Sequence, residues 1–280
     1  MHRQVLSSKI FFPHFKLSKW IKLYWFLEGS RKNTLKQNKY VLPDGCITIL
    51  FILEGSVQLN AYEHRILTEG IYIIPPVLKS HQNLFSNDVF LIDIHLKPGV
   101  FHKLFNFPVN ELKFDKAYDF DEVSIKLDKS ILERLVLLKN SKYQLLNELN
   151  DYFYTLFNST VCFEDTLINN ISELYKHGDL DAFYDAQNLS SRQVQRKVKD
   201  ITGLTPKTIS RIGRFYNILE SSSDIRHKIN FSELKNINKI TDQSHLIKEI
   251  KYFTGESPSN FFNKSEKYLQ LNSISEKKDD

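Results

Sequence analysis

The sequence predicts an α+β protein in three parts: a β-rich domain over residues 1–120, a helical connector over residues 121–157 and an all-α domain over residues 160–268, followed by a disordered tail at residues 269–280. Three observations predict this. Short apolar runs closed by Gly or Pro fill the first part. An apolar stripe at steps of three and four crosses the second. The third contains one helical unit written twice.

The β-rich part begins with residues 40–42, which run into Pro43-Asp44-Gly45, where Pro presets φ and Gly supplies a positive one. Residues 46–53 then form a β-branched apolar run ended by Glu54-Gly55, the pattern of a buried strand. Residues 57–61, 71–74 and 89–96 repeat the pattern, the last two closed by Pro75-Pro76 and Pro98-Gly99. Several short strands without a long helix between them point to a sandwich or a barrel/cupin-like domain. Asp44 is expected to cap its own turn. In the connector, Ile131, Leu135, Leu138, Leu145, Leu149, Tyr152 and Leu156 form the stripe, broken at residues 139–142. It closes either a local core or a dimer contact.

In the last part, Val194, Val198, Ile201, Thr202 and Gly203 recur 52 residues later as Leu246, Ile250, Phe253, Thr254 and Gly255, and Thr205-Pro206 recurs as Ser257-Pro258. Spacing of i, i+4 and i+7 places the apolar residues on one helix face. The glycine suits a left-handed helix end, and the hydroxyl residue with Pro is an N-cap followed by the first helical position. Ser190 and Gln193 form a capping box that opens the first copy. Short helical stretches precede both copies, at residues 180–187 and 231–238, giving two helix-turn-helix units. The helix over residues 205–221 would span roughly 24 Å and hold the two units about one DNA turn apart.

Outward faces carry Arg192, Gln195, Arg196 and Lys199 in the first copy, and Gln243, Ser244, His245, Lys248 and Lys251 in the second. Arg, Lys and Gln are the residue types that read guanine, phosphate and adenine in a major groove. Residues 192–214 hold seven bases (Arg192, Arg196, Lys197, Lys199, Lys207, Arg211 and Arg214) against Asp200 alone, which localises a net charge of only +5.

These motifs resemble AraC/XylS-type bacterial transcription regulators over residues 163–262. The resemblance implies base contacts by Arg192, Gln195, Arg196, Gln243, Ser244, His245 and Lys248. It is extended to phosphate contacts by Ser190, Lys199, Lys207, Lys251 and Ser257. Tyr24-Trp25 and the Pro43–Cys46 turn resemble a sensor domain found in some members. Departures fall at Tyr184, Gln187, Lys235 and Asn238, where the family has small residues, and at Lys239, where it has Gly.

Composition sets the remaining expectations. With 41% hydrophobic and 25% charged residues, and a mean hydropathy of −0.34, the chain reads as a soluble globular protein. It has no apolar run near the ~18 residues of a membrane span and no secretory signal pattern, so a cytoplasmic location is expected. Cys46 and Cys162 read as inert core thiols. His64, His81, His95 and His102 show no metal-ligand spacing, and no catalytic motif appears, so no metal, cofactor or catalytic residue is expected. The expected function is sequence-specific regulation on double-stranded DNA. A small-molecule effector, RNA polymerase and a second copy are the further candidate partners, and a membrane is not one. The rivals are a β-barrel enzyme, which needs a convergent polar cluster in a cavity, and a protein-interaction module, whose binding would hardly respond to salt.

Overall fold

A computed structural model describes residues 6–29, 37–160, 166–222, 243–263 and 268. Among the described residues, ten strands form two antiparallel sheets. The larger runs in the order β1 (Ser7–Phe11), β2 (Ile21–Glu28), β9 (Phe90–Leu96), β4 (Ile47–Glu54), β7 (Gly70–Ile74) and β10 (Tyr118–Asp119). The smaller runs β3 (Gln37–Val41), β8 (His81–Phe85), β5 (Val57–Leu59) and β6 (Arg65–Leu67).

The unbroken apolar run of β4 is explained by burial on both faces. Ile49, Phe51 and Leu53 pack into a core on the outer face of the larger sheet, while Leu50 and Ile52 pack between the sheets. Each such side chain contributes about 1.5–3 kcal/mol by leaving water. β9 alternates likewise. Phe90, Ile92, Ile94 and Leu96 face the outer core, so Asp93 and His95 fall on the alternate, inter-sheet side with Leu91.

The expectation of a barrel is corrected: the two sheets do not close on each other among the described residues. Closure needs strands long enough to wrap around an axis. β5 and β6 have three residues each and β10 has two. Helices cover the outer face of the larger sheet instead. α1 (Val100–Phe105) and the hairpin of α2 (Ser130–Leu138) and α3 (Lys142–Thr160) supply Val100, Leu104, Ile131, Leu135, Leu145, Leu149, Phe153 and Phe157 to that core. The connector stripe is therefore spent on the chain's own core. Arg134 Nε donates to Glu148 Oε1 at 2.6 Å and ties the hairpin together.

The C-terminal helices are α4 (Thr166–His177), α5 (Leu180–Asp185), α6 (Ser191–Thr202), α7 (Pro206–Ser222), α8 (Gln243–Thr254) and α9 (Pro258–Asn263). Their core joins Ile171, Phe183, Val194, Val198, Ile212, Phe215, Ile250, Phe253 and Phe261. α4 and α7 cross backbone against backbone at Gly213, where a Cβ would lie 2.4 Å from the Tyr175 carbonyl oxygen. The stretch at residues 231–238, Lys239, Cys162 and the tail at residues 269–280 lie outside the described residues. No helix among the described residues is long and apolar enough to cross a membrane.

Candidate nucleic-acid interface and interdomain site

The first unit is built as its local code dictates. Ser190 Oγ accepts from the Gln193 amide at 3.5 Å, and the Ser190 amide donates to Gln193 Oε1 at 3.0 Å. Val194 and Val198 are fully buried, which turns Arg192, Gln195, Arg196 and Lys199 to solvent. Gly203 ends α6 at φ 72°. Lys207 is exposed at the start of α7. Tyr184, one of the departures, lies beside this face: Gln195 Nε2 donates to its hydroxyl at 3.1 Å. The Ser190 hydroxyl also donates to Gln193 Oε1 at 2.8 Å, so the cap occupies it.

The second unit repeats this plan in α8. Ile250 and Phe253 are buried, Lys248 and Lys251 are exposed, and Gly255 takes φ 74°. Ser257 Oγ accepts from the Asn260 amide at 3.3 Å, capping α9. Gln243, Ser244 and His245 occupy the first helical turn of α8, and their side chains lie outside the described set.

Two bases of the charged window are structural. Arg211 Nε donates to both oxygens of Glu249 at 3.0 Å, with Glu249 only 9% exposed. Arg214 Nη1 donates to the Gly178 carbonyl at 3.0 Å and to Ser210 Oγ at 2.6 Å. The basic surface thus contracts to Arg192, Arg196, Lys197, Lys199 and Lys207.

The Pro43–Cys46 turn joins the β-rich domain to the helices. Gly45 sits at φ 71°, and a Cβ there would lie 3.0 Å from Ile212 Cδ1. The Tyr175 hydroxyl of α4 donates to the Asp44 carbonyl at 2.7 Å and accepts from Lys22 Nζ at 2.7 Å. Lys22 Nζ also lies 3.3 Å from Asp44 Oδ2 and 4.0 Å above the Tyr216 ring.

Asp44 does cap its turn, accepting from the Cys46 amide at 3.0 Å, but it also meets His95 Nδ1 at 2.6 Å. Burial works to raise the Asp44 carboxyl, yet Lys22 and His95 overcome it and hold it well below the usual carboxylate range. Burial disfavours a charged His95, and Asp44 and Asp93 outweigh it, leaving the imidazole well above its ordinary pKa. Burial and the Asp44 charge push the Cys46 thiol up. His95 was missed because its partner is 51 residues away. The available signal was the alternation that puts Thr48, Asp93 and His95 on one face of otherwise apolar strands.

A larger groove of about 590 Å³ lies between the domains. Lys19, Lys22, Lys97, Lys103 and Lys176 border it, with Trp20, Phe157 and Ile168 as apolar wall. Burial lowers the Lys97 pKa, and Lys176 and Lys22 lower it further, a sign of crowded positive charge.

Residues 9–116 match a family described as a domain of unknown function, DUF6597. No curated protein matches the sequence. Solved structures of ToxT from Vibrio cholerae align over most of the chain. An apo point variant is 15% identical with a TM-score of 0.39, covering 85% of this chain and 96% of that one. ToxT bound to (E)-4-(8-methylnaphthalen-1-yl)but-3-enoic acid is 9% identical with a TM-score of 0.41, covering 92% and 98%.

Proposed function

We propose that the chain is a sequence-specific DNA-binding transcription regulator of the AraC/XylS type, which sets α6 and α8 in successive major grooves. The single observation that supports it is the duplicated unit. Both copies have a buried apolar face, a left-handed glycine end and a capped Pro restart, and both leave basic side chains exposed. Arg192, Gln195, Arg196, Gln243, Ser244, His245 and Lys248 are assigned to base edges. Lys199, Lys207 and Lys251 are assigned to phosphates, with Ser190 and Ser257 offering helix N-termini rather than free hydroxyls.

The interdomain groove is the proposed effector site. Five lysines beside an apolar wall suit a small amphiphile bearing an acid group. The enzyme reading has a polar cluster in its favour, at Asp44, Cys46 and His95. Against it, the adjoining cavity is about 70 Å³, and burial raises the Cys46 thiol where a nucleophile needs it lowered.

Genome-wide footprinting of the purified protein tests the proposal. A recurrent two-part site is expected, with binding that weakens steeply as salt rises. Absence of any preferred sequence would overturn the regulator reading, and salt-insensitive binding would favour the interaction module.

A further inference from the structure

Three donors of different chemistry converge beneath the Pro43–Cys46 turn. The Asp44 carboxylate, the Cys46 thiol and a ring nitrogen of His95 lie within 4.8 Å of one another, and all three residues are buried. The inter-sheet cavity they border has a volume of about 70 Å³. That is far below the roughly 300–1,000 Å³ of an organic-ligand pocket. It has room for an ion and water, since one water needs about 10–15 Å³.

The same cavity is lined by polar atoms that lack partners. Thr48 Oγ1 and Asn83 Oδ1 are buried without a hydrogen bond, and their residues are 6% and 5% exposed. Asp93 Oδ1 shares that condition, while His95 Nε2 lies 3.2 Å from Asp93 Oδ2. Unsatisfied buried polar atoms are rare and costly, and three around one small space call for something that satisfies them. Thr48 stands opposite His95 in the β4–β9 register, which places its hydroxyl beside the cluster.

We propose that Asp44, Cys46 and His95 bind one divalent transition-metal ion of the zinc type, with a water in the fourth position toward Thr48 and Asn83. Thiolate, imidazole and carboxylate together form a donor set that zinc accepts in tetrahedral sites. Bonds of about 2.0–2.3 Å keep tetrahedral donors roughly 3.3–3.6 Å apart, so the donors, now within 4.8 Å of one another with one pair at 2.6 Å, reach that spacing by side-chain shifts of about 1 Å. The ion takes the place of the proton between Asp44 Oδ2 and His95 Nδ1, and that pair opens from 2.6 Å. His95 Nε2 then turns its N–H to Asp93 Oδ2, 3.2 Å away, the carboxylate support common behind metal-bound histidines. Charge closes as well. A thiolate and two carboxylates are matched by the divalent ion and the Lys22 ammonium.

Titration of the reduced full-length protein with cobalt(II), followed by zinc(II), tests the site. One equivalent of cobalt should give a thiolate-to-metal charge-transfer band and tetrahedral visible absorption, and zinc should abolish both. Cys46→Ser should lose the charge-transfer band while keeping its far-ultraviolet circular dichroism, and Cys162→Ser should keep the band. Should Cys46→Ser fail to fold, His95→Gln serves instead, with the tetrahedral absorption lost. A folded wild-type protein without the band, a band that persists in Cys46→Ser, or one lost in Cys162→Ser would overturn the proposal.

Discussion

The two copies of the duplicated helical segment, at α6 and α8, share one local code and sit in different surroundings. At the end of α6, a Cβ on Gly203 would come within 2.3 Å of the Phe114 ring, and Asn110 Nδ2 donates to Asp200 Oδ1 at 3.0 Å. α6 is thus seated on the β-rich domain. At the end of α8, nothing among the described residues lies within 4 Å of a Cβ on Gly255. The second unit is held instead by the Ser80 amide donating to the Phe253 carbonyl at 2.6 Å and by Arg211 with Glu249. Identical helix ends therefore have different neighbours to answer to. The β-rich domain meets the first copy at Phe114 and Asn110, and the second at Ser80 and at Lys79, whose Nζ lies 5.8 Å from the Tyr252 ring.

The largest expected effect breaks the symmetry of the glycines. Gly255→Ala should cost about 1–2 kcal/mol for its left-handed backbone. Gly203→Ala should cost about 1–3 kcal/mol beyond that, because the Phe114 contact adds overpacking. Urea unfolding of the two variants checks this, and equal losses would remove Phe114 from the seat of α6.

On DNA, Arg196→Ala should weaken specific binding by about 1–3 kcal/mol and relax preference at one position of the site. An unchanged sequence profile in a binding selection would count against the base contact. Glu249→Gln should destabilise by about 1–2 kcal/mol, since the pair is only partly screened and Arg211 would lose its charge partner. The loss should appear as faster hydrogen exchange in α8, with α6 little changed.

A pH effect of moderate size bears on the second tether. Burial holds His81, next to Ser80, down to about 4, against 6.5 for a free imidazole. The folded state therefore favours neutral His81. Its contribution is complete above the unfolded value and is lost as pH falls from about 6.5 toward 4. His81→Gln should flatten the pH dependence of unfolding in that window, and a curve parallel to wild type would exclude His81. Smallest of all, Lys199→Ala should weaken binding to every sequence alike and lower the salt slope by about 1.

Much of the fold was legible because its signals are local. The capping box at Ser190, the prolines at 206 and 258 and the glycines at 203 and 255 act within four residues of themselves. The run at β4 announced a buried strand, and the structure adds that both of its faces are covered. The charge window misled at Arg211 and Arg214, since their partners lie in other segments, Glu249 in α8 and Gly178 in the loop after α4. Short turn-closed strands without helices between them left a sandwich and a barrel both open, because that pattern does not say how sheets close.

What the sequence by itself determined is the duplicated helical unit, with its buried apolar face and glycine-ended helix, because helix periodicity, caps and left-handed glycines follow from steric and hydrogen-bonding rules along the chain. Only the tertiary structure decided that Asp44 and Cys46 meet His95, that the connector stripe seals the outer face of the larger sheet, and that lysines of both domains gather in one groove. Those arrangements depend on strand register and on which surfaces exclude water together, and neither is encoded within any single segment.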